Sequence, residues 1–72
     1  MEDTLDLHGV SHEDASEMVH RFINDHWVEG WTLHVITGNS TKMKSIVQSV
    51  LNLYQVDWID DEWNAGSIKI FT

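Results

Sequence analysis

The sequence predicts an α/β fold, a two-layer α/β sandwich in the order β-α-β-α-β-β with a mixed four-stranded sheet. Two segments carry apolar residues at helical spacing, and four short segments are rich in β-branched, aromatic or alternating apolar residues. Successive right-handed crossovers place both helices on the same face of the sheet. We expect residues 1–72 to form a single domain.

Strand one is predicted over Glu2 to His8, where Leu5 and Leu7 alternate with Asp6 and His8. This alternation sends the two leucines into the core and leaves Asp6 and His8 together on the opposite face.

The first helix is predicted from about His12 to Val28. Ser11 is a good N-cap, and Gly30 is the expected C-cap. The helix's apolar residues recur at helical spacing: Ala15, Met18, Val19, Phe22, Ile23 and Trp27.

Strand two is predicted over Trp31 to Thr37, with Leu33 and Val35 as the more apolar face. The polar stretch 38–41 ends it and opens a second helix, whose N-cap is Ser40 or Thr41. That helix also has apolar residues at helical spacing: Met43, Ile46, Val47, Val50, Leu51 and Tyr54.

Strand three is predicted over Val56 to Ile59 and strand four over Ser67 to Phe71, with a turn at Trp63–Gly66 between them. Strand four should run antiparallel, which makes the sheet mixed. On its uncovered face we expect Asp6, His8, His34 and Lys69.

The chain is strongly acidic, with a formal net charge of −8 and only four cations, Arg21, Lys42, Lys44 and Lys69. It has no cysteine, which excludes a disulfide framework and a thiolate metal site. It has no long apolar run, and its acidic start is unlike a secretory signal, so we expect a cytoplasmic protein with no membrane contact.

Three glycine-containing loops should meet at one edge of the sheet. Strands one and two should be parallel, so Gly9 and Gly38 follow their carboxyl ends on the same side, and Gly66 opens strand four there. Ligands of open α/β sheets bind just outside such strand ends.

The segment from Gly38 through Asn39 and Ser40 to Thr41 opens a helix, and a helix start attracts anions such as phosphate. Lys42 and Lys44 lie in the first turn, where cations disfavour the helix itself. We therefore interpret the loops, these lysines and Lys69 as a phosphate-binding region.

His8 is the candidate general acid/base for phosphodiester cleavage, with Asp6 as its orienting partner. The alternative is that both residues only shape the turn through hydrogen bonds to the backbone. No cofactor is firmly implied, although Asp6, His8 and His34 could share a divalent metal.

Other residues of interest have simpler explanations. We expect His12, His20 and His26 to be solvated helix residues, and Trp27, Trp31, Trp58 and Trp63 to complete the core or meet a partner rather than stack on bases. The acidic run Asp57, Asp60, Asp61 and Glu62 is typical of a solvated edge that blocks strand addition.

These motifs resemble the small MutS-related (Smr) domain family. Leu5-Asp6-Leu7-His8-Gly9 matches the family's opening motif, and Val35-Ile36-Thr37-Gly38 matches the strand before its glycine-rich loop. Gly66-Ser67-Ile68-Lys69-Ile70 is similar to its closing strand. The loop after strand two is shorter than usual, without a second glycine or a His-Ser pair, and resembles compact phage members.

The resemblance implies a fold like the C-terminal domain of bacterial translation initiation factor three, with sheet order 1-2-4-3. It also implies nucleic-acid association, often with endonucleolytic cleavage of DNA or RNA. In this family Asp6 and His8 would carry the catalytic motif, and Thr37 and Gly38 would begin the substrate-binding loop.

Two functions from different classes follow. The first is a small Smr-like domain that binds DNA or RNA weakly and cleaves it with the Asp6–His8 pair. The second is a non-catalytic acidic interaction module, such as a phage protein that docks on a basic host protein. We expect a monomer or a weak homodimer in either case.

Overall fold

Strands and helices follow one another in the predicted order. The computed structural model describes residues 2–61 and 66–72. Its strands are β1 (Glu2–Asp6), β2 (Thr32–Ile36), β3 (Asp57–Asp60) and β4 (Ser67–Phe71), and its helices are α1 (His12–His26) and α2 (Thr41–Tyr54). The predicted turn residues Trp63, Asn64 and Ala65, and the acidic Glu62, lie outside the described residues.

The four strands form one mixed sheet in the order β1-β2-β4-β3, as predicted. β1 and β2 are parallel, and β4 runs antiparallel to both of its neighbours. β1 and β3 are therefore the two edge strands. This topology brings the ends of β1 and β2 to the same side as the start of β4.

The core lies between the sheet and the two helices. Leu33 and Val35 of β2 and Ile68 and Ile70 of β4 are fully buried, which confirms the predicted inward face of both central strands. Burial of each such side chain stabilises the fold by about 1.5–3 kcal/mol. The helices contribute their predicted apolar residues to this core: Ala15, Val19, Phe22, Ile23, Met43, Val47, Val50 and Leu51. Within the described chain, neither helix has the length and apolarity needed to cross a bilayer.

The side chains opposite the core lie in rows across the strands. One row joins Thr4, His34 and Lys69 to Ile59, and the next joins Asp6, Ile36 and Ser67. We call this side of the sheet the open face. Ile59 is 51% exposed there, so it does not belong to the core.

The first helix ends earlier than predicted, at His26 rather than at Val28. Trp27 has φ −73° and ψ 103°, which is extended backbone. His26 Nδ1 lies 2.9 Å from the carbonyl oxygen of Phe22, and its Nε2 lies 2.9 Å from Asp3 Oδ2. The His26 ring thus bonds a carbonyl of the last turn of α1 and connects the end of this helix to β1. Gly30 is not the C-cap; its φ of +86° lies in a later turn, closed by a hydrogen bond from Trp31 N to Val28 O.

Two of the helix histidines are bonded rather than merely solvated, which corrects the expectation for His20 and His26. His20 Nδ1 lies 3.0 Å from the hydroxyl of Tyr54, and Asn24 donates to the same hydroxyl at 3.2 Å. These contacts join α1 to α2 across the helical layer. His12 is exposed, as expected.

Candidate functional site

The structure brings the three glycine-containing loops to one border of the sheet. Leu7 N, just after β1, donates to Ile36 O at 2.9 Å. On the other side of β2, the amides of Thr37 and Gly38 both donate to Gly66 O, at 2.6 and 3.0 Å. We call this border the loop edge and define it as residues 7–10, 37–42 and 66.

Gly38 and Gly66 are in direct backbone contact. A Cβ added to Gly66 would lie 2.7 Å from the carbonyl carbon of Gly38, closer than real Cβ atoms approach. The hydroxyl of Thr37 lies 2.9 Å from Gly66 O and 3.0 Å from Gly38 O, and Thr37 is only 5% exposed. Thr37, Gly38 and Gly66 therefore form a structural junction, in which the amides of Thr37 and Gly38 are already bonded.

The unbonded amides begin one residue later than expected. Ser40 is the N-cap of α2, and its Oγ accepts from Met43 N at 3.1 Å. The amides of residues 39–42 have no partner in the described part of the chain, as is usual at a helix start. Gly38 is thus the bend of the loop, with φ +67°, and the amides without a partner run from Asn39 to Lys42.

The second helix is the cationic element of the chain. It carries Lys42 and Lys44 and no acidic residue, whereas α1 carries Glu13, Asp14, Glu17 and Asp25. Neither lysine makes an ion pair with a described residue. Both therefore add to the positive end of the α2 dipole at the loop edge.

Asp6 and His8 do not stand side by side on a strand, because β1 ends at Asp6. The Asp6 carboxylate instead accepts the backbone amide of His8, from which its Oδ1 lies 2.8 Å. Val10 N donates to Leu7 O at 3.0 Å and closes the turn around His8 and Gly9. The imidazole of His8 is exposed at the loop edge and bonds no described side chain, so Asp6 reaches it only through the main chain.

Lys69 and His34 lie on the open face, one row away from the loop edge. Each is the other's direct cross-strand neighbour, and the Asp6 row lies between them and the edge. Two residues along a strand cover roughly 7 Å. Lys69 thus lies on the open face, as predicted, in the row next to the loop edge rather than on the edge itself.

The metal alternative has no geometric support in the described residues, where no three His, Asp or Glu side chains come close enough to hold an ion. His34 Nε2 lies 3.5 Å from Glu2 Oε2, without hydrogen-bond geometry, and its nearest β1 neighbour is Thr4 rather than Asp6.

The described tryptophans lie away from the loop edge. Trp58 packs against the core and its Nε1 lies 3.4 Å from Asn52 Oδ1. Trp27 follows α1 and Trp31 precedes β2, at the opposite end of the sheet. Trp63 lies outside the described residues.

Fold and loop edge together define a small α/β domain in which the ends of two parallel strands and the start of a helix meet at one border. A sequence profile of the Smr domain matches residues 5–66. Because the match covers most of the 72 residues, this chain belongs to the Smr domain family, a small nucleic-acid-binding and nuclease-like family. No curated protein and no solved structure shows a significant match.

Proposed function

We propose that this chain binds the sugar-phosphate backbone of DNA or RNA at the loop edge, and that His8 is the group that moves a proton when a bound phosphodiester is cleaved. The observation that carries the proposal is the position of two groups at the loop edge: the exposed His8 follows β1, and the bare amides at the start of α2 follow β2, the parallel neighbour of β1.

A phosphate would be held by the main chain of residues 39–42 and by the two lysines of the first turn of α2. Backbone amides at a helix start suit an anion without any sequence preference. The contact is small, and the rest of the chain is acidic. Binding should therefore be weak and strongly dependent on salt.

Asp6 would act as a positioning residue rather than as a partner of the imidazole. Its carboxylate holds the His8 amide at 2.8 Å and so fixes where the turn presents the ring. This role needs an acceptor oxygen and no charge. Asn at this position should keep the turn, whereas Ala should lose it.

Binding is tested with fluorescently labelled single-stranded DNA and a structured RNA over a series of salt concentrations. Lys42→Glu and Lys44→Glu should each weaken binding and flatten its salt dependence by about one phosphate contact. Lys69→Glu is the matched control, because it makes the same charge change on the open face. Equal losses from all three variants would mean that net charge, not the loop edge, governs binding.

Cleavage is tested on supercoiled plasmid and on the same RNA. His8→Gln should abolish cleavage while leaving binding within about twofold, since it removes the titrating ring and little else. The cleavage rate of Asp6→Asn should stay near that of the wild type, and the cleavage rate of Asp6→Ala should fall below it. Cleavage that survives His8→Gln would refute the catalytic role, and a wild-type chain that binds without cleaving would reduce the proposal to binding alone.

A further inference from the structure

The β1 edge of the sheet is distinct from the loop edge and offers a different kind of contact. β1 pairs only with β2 among the described strands. Because Leu7 N donates to Ile36 O, odd-numbered residues turn their backbone groups toward β2, and Thr4 and Asp6 turn theirs outward. The outward groups are those that an additional strand would bond.

This edge is only partly covered. The Thr4 amide donates to the Asp3 carboxylate at 2.9 Å, and His26 holds the other oxygen of that carboxylate. The Thr4 carbonyl and the Asp6 amide have no partner among residues 2–61 and 66–72. One acceptor, the Thr4 carbonyl, and one neighbouring donor, the Asp6 amide, thus remain available to an added strand.

A groove of about 200 Å³ runs beside the edge, between β1 and α1. Its apolar part consists of Leu5, Met18 and Phe22, and its polar part of Arg21, Asp25 and His26. Side chains alternate along a strand, so every second residue of a strand added to β1 would point into this groove.

Charge determines which strand can occupy the edge. Glu2, Asp3 and Asp6 make three of the five residues of β1 acidic, and Asp25 adds a fourth carboxylate at the groove. Arg21 is paired with Glu17 at 2.9 Å. A second copy is disfavoured, because antiparallel pairing about Thr4 would set Glu2 opposite Asp6. Nucleic acid is repelled for the same reason.

We infer that the β1 edge receives an extended, lysine- or arginine-rich peptide segment of another protein, which adds as a strand beside β1. Main-chain hydrogen bonds to Thr4 and Asp6 supply the register, and an apolar side chain of the segment enters the groove beside Leu5 and Met18. Its basic side chains meet the carboxylates of β1 and Asp25.

The probe is a short synthetic peptide of alternating lysine and valine, titrated into the isotopically labelled chain and followed by NMR. We expect amide shifts within residues 2–6 and 18–26, and slower hydrogen exchange of the Asp6 amide. A peptide of the same sequence with methylated backbone nitrogens, and one with glutamate for lysine, should cause neither. Shifts confined to the loop edge or to β3, or no binding, would overturn the inference.

Two pairs of variants locate the contact. Thr4→Pro blocks an outward position without removing a bond of the β1–β2 ladder, and should weaken peptide binding on the order of tenfold, whereas Thr4→Val should not. Asp25→Lys should weaken binding several-fold more than Asp57→Lys, which makes the same charge change at the opposite sheet edge. If Thr4→Pro fails to fold, the comparison of Asp25→Lys with Asp57→Lys still tests the location of the contact.

Equal losses of peptide affinity in Asp25→Lys and Asp57→Lys would reveal unspecific charge attraction and contradict the inference. Sedimentation of the free chain as a dimer that Thr4→Pro dissociates would also contradict it, since the occupant would then be a second copy.

Discussion

Replacing Gly66 with alanine tests the backbone junction that builds the loop edge. Gly66 has φ +89°, and an added Cβ would meet Gly38 backbone atoms at 2.7–2.9 Å. Gly30 has a similar φ of +86°, but nothing lies within 4 Å of the position that a Cβ would occupy there. The pair therefore separates the strain of a positive φ from the steric clash.

The expected loss of stability follows from these two terms. A positive φ costs a non-glycine residue about 1–2 kcal/mol, which is the whole cost at Gly30. At Gly66 the clash with Gly38 also displaces the Gly66 carbonyl oxygen, which accepts from the amides of Thr37 and Gly38. The loss of these two hydrogen bonds adds about 2–3 kcal/mol. Gly66→Ala should thus cost about 3–5 kcal/mol, out of roughly 4–11 kcal/mol for a domain of this length.

Urea unfolding of both variants, followed by circular dichroism, measures the difference directly. Gly66→Ala should lower the midpoint far more than Gly30→Ala does, and in NMR spectra its shift changes should extend into residues 37–42. If the two variants lose the same free energy, the Gly38–Gly66 contact does not hold the loop edge together.

Three further substitutions test separate parts of the fold by urea unfolding. Ser40→Ala removes the N-cap of α2 and should cost about 1 kcal/mol; no loss would mean that the first turn is held in another way. Tyr54→Phe removes the hydroxyl that bonds His20 and should also cost about 1 kcal/mol, an effect that must vanish in a His20→Ala, Asn24→Ala background. Leu51→Ala should cost about 2–5 kcal/mol because Leu51 is fully buried, whereas Leu53→Ala, at a site 73% exposed, should cost less than about 0.5 kcal/mol; similar losses would contradict the packing of α2.

Apolar periodicity was sufficient to predict the layers of this fold. The inward faces of β2 and β4 and both helix stripes follow from residue spacing, and the parallel and antiparallel relations follow from the helices and the turn that connect the strands. The meeting of the loops at one sheet edge is a consequence of that topology, so it could also be predicted.

Local competition between polar groups could not be predicted in the same way. The pattern Leu5 to His8 fits a strand, but the Asp6 carboxylate bonds the next turn's backbone and the strand stops there. Trp27 could continue the helical pattern, but His26 bonds both Phe22 and Asp3, and α1 ends. The Asp6 contact is local and matches the alternative in which this residue shapes the turn, whereas the His26–Asp3 contact joins α1 to β1 and has no signal in residue spacing.

The same limit applies inside the candidate site. The family resemblance implies that Thr37 and Gly38 begin a substrate-binding loop, and in the structure their amides bond Gly66 O. The pairing of His20 with Tyr54 spans 34 residues and has no local sequence signal. The open-face position of Lys69 follows from alternation along β4, whereas the row that it shares with His34 depends on strand register, which composition does not fix.

The proposed function depends on nucleic acid meeting this chain at the loop edge, and an NMR titration with short DNA and RNA oligonucleotides shows where the contact lies. We expect shifts gathered at His8, Gly9 and residues 37–44, reduced by added salt and lost in Lys42→Glu. Shifts gathered on the open face around Lys69 and His34, or no shifts at low salt, would contradict the proposal.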